Sequence, residues 1–565
     1  MQGAADSAGK TPFVSAWLSA LAMATLVLLA GCGHSSVPQG TGSGDGNLGA
    51  CSDELAAAQI ADASRMPSVT QVQTAQAEID QFGQGYRIAG NAAELGYIHH
   101  LAARLREIGA SDVVEEPYSF TAWTPQTTAL AVTQGPTPGP LKVAYFVPAS
   151  GSTGADGVQG QLIYLSALSA VNFVDVVVQA LQQKSLGEVV AAIESLLQST
   201  LAGGLSLVQT IAAANVKDKI VMYDVPKLPL VAGVFFPLSS YVNDSGGTFG
   251  ALTPYSRPFI DMLTIYEINA VLSAAGAAAA IAVIDYPPAA ADGSYYPFYA
   301  PYSMPSVPAL YLDRDTGTAL KQQLIASGTQ AVQVHLTLDA SKAQATSYNV
   351  SALIPGQCKT QILLSSHSDG PNSIEDNGPA AILNIADYFL HAPAMQRRRG
   401  IRIVFTGGHL SGSPGIAAYI AAHKTDLSEQ VLTAIEVEHL GAREWVELSP
   451  GMMGLDGLSE PQVIETLPGT AQAAVSKTFL QNFDRSLVLD VPLFGEGPGW
   501  FEHAGLPLIQ YITGPVYLLN GPLPEVTSQY TDYALMQRQI SSFVQMILDL
   551  NAQPASTLRS GMRDQ

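Results

Sequence analysis

The sequence predicts an α/β protein, a mostly parallel sheet flanked by helices and interrupted by a β-rich insertion that carries a helical segment of its own. Three observations predict it. Beyond Thr346 the apolar runs "TQILLSS", "GIRIVFTGG" and "VLTAIEVE" alternate with helical stretches such as "AAILNIADYFLHA" and "PGIAAYIAAH", the alternation expected of parallel strands joined by helical crossovers. From about 140 to 340 the chain changes to short runs, "LKVAYFV", "GQLIYL", "DKIVMY" and "VPALYL", punctuated by Gly and Pro, which read as strands. Within them, 166–216 has helical periodicity and few charges. With 565 residues the chain can build more than one core. Its parts divide as 1–31, 32–50, 51–135, the insertion 136–345 with its helical segment 166–216, and 346–555, the third and fifth forming one domain.

Taken in order, the first segment reads as an address. After Lys10 an uncharged apolar stretch runs into Leu29-Ala30-Gly31-Cys32, the sequence of basic start, apolar segment and small residues of an export signal. "LAGC" resembles the lipobox of bacterial lipoproteins. That resemblance implies removal of 1–31, lipidation of Cys32 and anchorage to a membrane of the bacterial cell envelope; an ordinary secretory signal or a membrane helix is the other reading. Residues 32–50, rich in Gly and Ser, suit a flexible tether. Setting Cys32 aside leaves Cys51 and Cys358, a pair that an oxidising compartment would join as a disulfide, two unpaired thiols being the alternative. In "GNAAELGYIHHLAARLREIGA" (90–110) apolar residues recur at helical spacing and Gly109 marks the stop. The apolar stretch 270–284 is short and runs into Asp285 and two prolines, so it reads as a helix entering a buried strand and not as a membrane span. The Tyr- and Pro-rich loop 292–305 is expected to pack within the insertion.

A formal net charge of −21 opposes binding to phosphate backbones, which lysine and arginine drive, so no nucleic-acid partner is expected. In a parallel sheet, ligands collect beyond the carboxyl ends of the strands. His367 and Asp369 follow the first apolar run, His409 follows the second after Gly407 and Gly408, and Glu438 with His439 closes the third. Asp376 stands just before "NGP", where Pro379 suits a helix's first turn. Imidazole with carboxylates is a zinc-like donor set. Asp369 is placed to accept the other ring N–H of His367 and fix its tautomer. Singly, each reads as a structural residue, a hydrogen-bonded loop histidine or a helix cap, before a catalytic one; their coincidence at successive strand ends points to a metal.

"HSD" and "EDNGPAAIL", with "TSYNVSALIPG" before them and the helix at 90–110, resemble segments of the co-catalytic zinc aminopeptidases, metallopeptidase family twenty-eight. The insertion, above all "MPSVPALYLDRDTGTALKQQL", resembles the protease-associated domain. The resemblance implies an exported zinc metallo-exopeptidase that removes N-terminal residues from peptides. It places His367 and Glu438 on one zinc, glutamate standing for the family's aspartate, and makes Asp376 the carboxylate that bridges two metals. The family's glutamate pair falls on Gly408 and His409, so His409 is a candidate ligand of a second zinc, while the late histidine falls near Leu518. The family's general base therefore falls on a glycine, which cannot accept a proton. Glu375, Glu436 and His439 are the nearest replacements. Glu436 shares a strand face with Glu438, whereas Glu375 reads as a cap and His503 as a surface histidine. The implied centre is reduced: one zinc on His367, Asp376 and Glu438, with a second admitted. The alternative is a homologue that has lost catalysis and binds peptides or a protein partner.

Overall fold

The structure, a computed structural model, describes residues 51, 53–82, 86–166, 210–228, 230–262, 264–295, 306–521 and 529–560. The leader 1–31, the tether 32–50 with Cys32, nearly all of the helical segment expected at 166–216 and most of the 292–305 loop lie outside the described residues.

Helix α1 (Ala92–Ile108) starts at Asn91, whose side chain accepts the Glu94 N–H, and ends at Gly109 with φ of 96°, a left-handed position that glycine takes without a Cβ clash. Tyr97, Ile98, Leu101 and Leu105 form its buried stripe, at the spacing read from the sequence. The chain then leaves along β1 (Ser111–Gln134). Next come β2 (Val158–Tyr164), β3 (Ile220–Val225), β4 (Ser239–Asn243), β5 (Ala279–Ile284) and β6 (Ala309–Leu312). β7 (Gln333–Ile354) returns antiparallel along β1. Of the strands between, β2, β3, β5 and β6 run parallel and join β7 through β2. β4 does otherwise: it crosses to the far edge of the main sheet.

That sheet is completed by β8 (Cys358–His367), β9 (Arg399–Thr406), β10 (Val431–Val437), β11 (Gln462–Glu465), β12 (Ser486–Leu489) and β13 (Leu508–Ile512). Together with Tyr145–Phe146 at one end, the main path runs β6-β5-β3-β2-β7-β9-β8-β10-β13-β11-β12-β4. Its centre, β9-β8-β10-β13, is parallel. Every residue of β10 is buried, as a parallel strand covered on both faces requires. Alternation assigns the faces: Ile362, Leu364 and Ile435 join one core with helices α1, α2 (Gly378–His391) and α4 (Tyr533–Ala552). Leu363 and Ala434 join the other with α3 (Pro414–Gln430) and Trp500. This is the α/β architecture that the alternating runs predict. Pairing of His367 with Thr406 and of Ser365 with Glu436 sets the carboxyl ends of β8, β9 and β10 side by side.

Cys51 and Cys358 form a disulfide, with Cα atoms 5.3 Å apart. No helix among the described residues is long and apolar enough to cross a membrane. Lys227, after β3, and Arg314, after β6, both pair with Glu447 in the hairpin Arg443–Ser449/Met452–Ser459, Lys227 at 2.7 Å. The Arg314 hydrogen bond, aided by Lys227, holds the Glu447 carboxyl down at about 2, against an ordinary value of 4.5. A depressed carboxyl stabilises the fold above its unfolded value and loses that contribution as pH falls toward its folded value. Glu447→Gln is therefore expected to unfold at lower urea than wild type near neutrality, with the gap closing between about pH 4.5 and 2. A gap that stays constant across that window would refute the linkage.

Candidate metal centre

Among the described residues, five that have a buried donor atom without a hydrogen-bond partner gather beyond β8, β9 and β10: His367 (Nε2), His439 (Nε2), Glu438 (Oε2), Glu375 (Oε2) and His409 (Nδ1). An unpaired polar atom in the interior costs about 1–3 kcal/mol, so five together mark a site for a ligand. The imidazoles are oriented from behind. His367 Nδ1 lies 2.9 Å from the Asp369 carbonyl and His439 Nδ1 lies 2.6 Å from the Thr513 carbonyl, contacts that make Nδ1 the protonated nitrogen and turn Nε2 inward. Glu438 Oε1 accepts the Glu496 N–H at 2.9 Å, leaving Oε2 free. Two groupings have donor atoms all within 4.8 Å of one another: His367, Glu438 and His439; and His367, Glu375 and His409.

Burial sets the electrostatics. It lowers His367 to about 4 and His439 to about 3, the second helped by the nearby His367, so both rings are neutral and their lone pairs available at neutral pH. Burial also pushes Glu375 and Glu438 well above the usual carboxylate range. A cation among them reverses that cost, because its charge favours the ionised carboxylates. The donor set and its free atoms thus fit a zinc-type ion.

His439 reaches this group through its backbone. Continuing as a strand, it would face away from Glu438. Instead β10 ends at Val437 and His439 adopts φ of 57°, swinging its ring to the same side. Asn377 clamps the following residue, accepting from Leu440 N–H and donating to Leu440 carbonyl at 2.8 Å each.

Other residues singled out in the sequence are placed differently. Asp369 orients His367 with its main-chain carbonyl; its carboxylate accepts from the backbone N–H of His409 and Leu410 at 2.9 and 3.1 Å. Asp376 is in neither grouping, because Arg87 takes both of its oxygens, through Nε and, at 2.7 Å, through Nη2. Glu436 does share a face with Glu438, but Ser365 Oγ and Trp500 Nε1 donate to it, the latter at 2.9 Å, and hold it away from the cluster. His409 stands with its ring stacked on His367, centroids 4.4 Å apart, and Nε2 3.8 Å from Glu375 Oε1. Glu375, read as a cap, enters the site. At Gly408 φ is 85° and a Cβ would come within 2.8 Å of Pro414, so the fold itself excludes a glutamate there. Arg87, Thr513 and Glu496 carried no signal in the sequence.

No protein-family model and no curated protein matches this sequence; solved structures do. BSAP, a zinc aminopeptidase from Bacillus subtilis, aligns over 88% of this chain and 100% of its own at 15% identity, with a TM-score of 0.55. An aminopeptidase from Aneurinibacillus sp. strain AM-1 aligns over 87% and 95% at 14% identity, with a TM-score of 0.52. A Peptidase M28 precursor from Shewanella amazonensis SB2B aligns over 86% and 95% at 16% identity, with a TM-score of 0.52. The fold is that of the zinc aminopeptidases.

On this aminopeptidase fold, the donor atoms open into a cavity of about 420 Å³. Glu375, His409, Glu438 and His439 line its polar end. Its walls are apolar, and the two sides have different origins: Phe235, Phe249 and Phe259 come from the excursion between β1 and β7, Leu487, Leu489 and Phe494 from the main sheet and the loop beyond it. The pairing of β4 with β12 holds that aromatic side in place. Leu518 is also on the wall.

Proposed function

We propose that this chain is a metal-dependent exopeptidase of aminopeptidase type that removes apolar residues from peptide N-termini, exported and held on the bacterial cell envelope by a lipid on Cys32. What carries the reading is a set of five residues with unpartnered buried donor atoms, four of which line the polar end of an apolar cavity, at the strand ends where this kind of sheet binds ligands. A zinc-type ion bound there supplies Lewis-acid chemistry for carbonyl and water activation, with His367 and Glu438 among its holders. The rest falls to the protein. Glu375, the carboxylate that lines the cavity beside Glu438, is the general base in place of the excluded glutamate at 408. His409, beside it, helps pass the proton on. The aromatic walls take the first side chain and exclude water, and the excursion between β1 and β7, as a protease-associated domain, thereby selects the substrate.

The full chain supplied with zinc is expected to hydrolyse leucine and phenylalanine arylamides faster than those of glutamate, to lose activity to a chelator and to regain it with zinc. Absence of chelator-sensitive hydrolysis from every aminoacyl arylamide and peptide tried would overturn the reading. A second reading, a homologue that binds peptides or a protein partner without cleaving them, draws on Gly408 and Leu518 at positions where catalytic side chains are expected. It predicts peptide binding by calorimetry with no turnover.

A further inference from the structure

Resting on that metal-dependent reading, we infer that the centre binds one ion, not two, through His367 Nε2, His439 Nε2 and Glu438 Oε2, and that Asp376 is not a ligand. His439 takes the place that the resemblance to the aminopeptidases gives to a bridging aspartate.

Ring geometry decides between the two groupings. An imidazole's lone pair lies in the ring plane, so two rings serve one ion only if their planes converge on it. His367 and His409 are stacked, with planes 20° apart, so their in-plane lone pairs run alongside each other. His367 and His439 stand edge to face, 68° apart with centroids at 5.9 Å, and can meet at a shared point. The nitrogens agree. The His367 atom nearest Glu375 is Nδ1, at 3.8 Å, and that atom already donates to the Asp369 carbonyl. Its free Nε2 is left for the grouping that contains Glu438 and His439.

Each of the three donors also has its other polar atom tied to the backbone, His367 to Asp369, His439 to Thr513 and Glu438 to Glu496. Fixing the outer atom of each ligand is how metal sites hold their geometry. The left-handed backbone of His439 points the same way, since a non-glycine residue there carries about 1–2 kcal/mol of strain and such strain gathers at functional positions. Asp376 is unavailable because its oxygens are already paired with a guanidinium that cannot be deprotonated. A second ion would need Glu375 and His409 to share His367 through a nitrogen that is in use. Two imidazoles and one carboxylate with an open fourth position form a known type of catalytic zinc site.

The test titrates the full-length apo chain with Co(II) and Zn(II), reading Co(II) absorption and metal per chain. Three proteins are compared: wild type, His439→Asn, and the pair Arg87→Gln with Asp376→Asn. Asparagine tolerates the left-handed backbone, and the paired change leaves no buried charge alone. One ion per wild-type chain is expected, bound about 100-fold or more weakly by His439→Asn and within about threefold of wild type by the paired variant. Zinc X-ray absorption of wild type is a check that needs no variant, with two imidazoles expected; a single imidazole would overturn the assignment. Wild-type binding that survives His439→Asn, that is lost in a folded paired variant, or that reaches two ions per chain overturns it too, while the metal reading stands. No binding by wild type removes both.

Discussion

Glu375→Gln is expected to lower turnover of an apolar aminoacyl arylamide by about 10²–10⁴-fold while leaving bound metal per chain unchanged. Elimination within the site singles out Glu375. Several carboxylates gather near the strand ends; one of them, Glu496, takes the Thr406 Oγ1 hydrogen bond and is not on the cavity wall. Glu438 Oε2 lies 3.8 Å from His439 Nε2 and is one of the proposed ligands. Asp369 caps two backbone N–H groups, Asp376 is held by Arg87, and Glu436 is held by Ser365 and Trp500. Among the described residues, Glu375 is the carboxylate on the cavity wall that has an oxygen without a hydrogen-bond partner and no place among the three proposed ligands. Glutamine keeps its shape and removes its basicity, so the change separates the two roles it could have. Lost turnover with retained metal identifies the base. Lost metal makes Glu375 a ligand, and unchanged turnover removes it from the chemistry.

The same residues show how far the sequence could be read. Strands β8, β9 and β10 and helix α1 are legible because their apolar periodicity is local, and the placement of His367 and Glu438 at strand ends follows from it. Alternation, a backbone property, puts Glu436 on the same face as Glu438, yet its partner Trp500 lies 64 residues away and no local pattern reports that it captures the carboxylate. His439 fails for the opposite reason: alternation sends it away from Glu438, and only the φ of 57° brings it back. Asp376 was legible as a conspicuous acid before a helix, but its guanidinium partner is 289 residues distant. The apolar cavity depends on β4 crossing to β12, a non-local pairing that a run of five residues cannot announce. What the sequence conceals is therefore contact made at long range, and the composition of the candidate centre rests on such contacts.

Arg87→Met is expected to destabilise the fold by about 3–5 kcal/mol, because it leaves the Asp376 carboxylate buried without its counter-charge. Both side chains are essentially inaccessible, 1% and 0% exposed, so water cannot take over the lost contact. Adding Asp376→Leu to Arg87→Met is expected to recover most of the loss, since replacing a whole buried pair with apolar groups is often neutral or better. The double-mutant cycle then reports a large coupling energy, read from urea unfolding of the apo proteins. Zinc sharpens the experiment into a test of the role of Asp376. If Asp376 were a metal ligand, an ion would supply the missing positive charge, and saturating zinc would stabilise Arg87→Met more than wild type, because binding to the native state adds to stability by mass action. If the ion sits on His367, Glu438 and His439, zinc stabilises both proteins equally and the penalty persists undiminished. The equal shift is the expected result: Arg87 is then the permanent counter-ion of Asp376, occupying electrostatically the role that a second metal would otherwise fill.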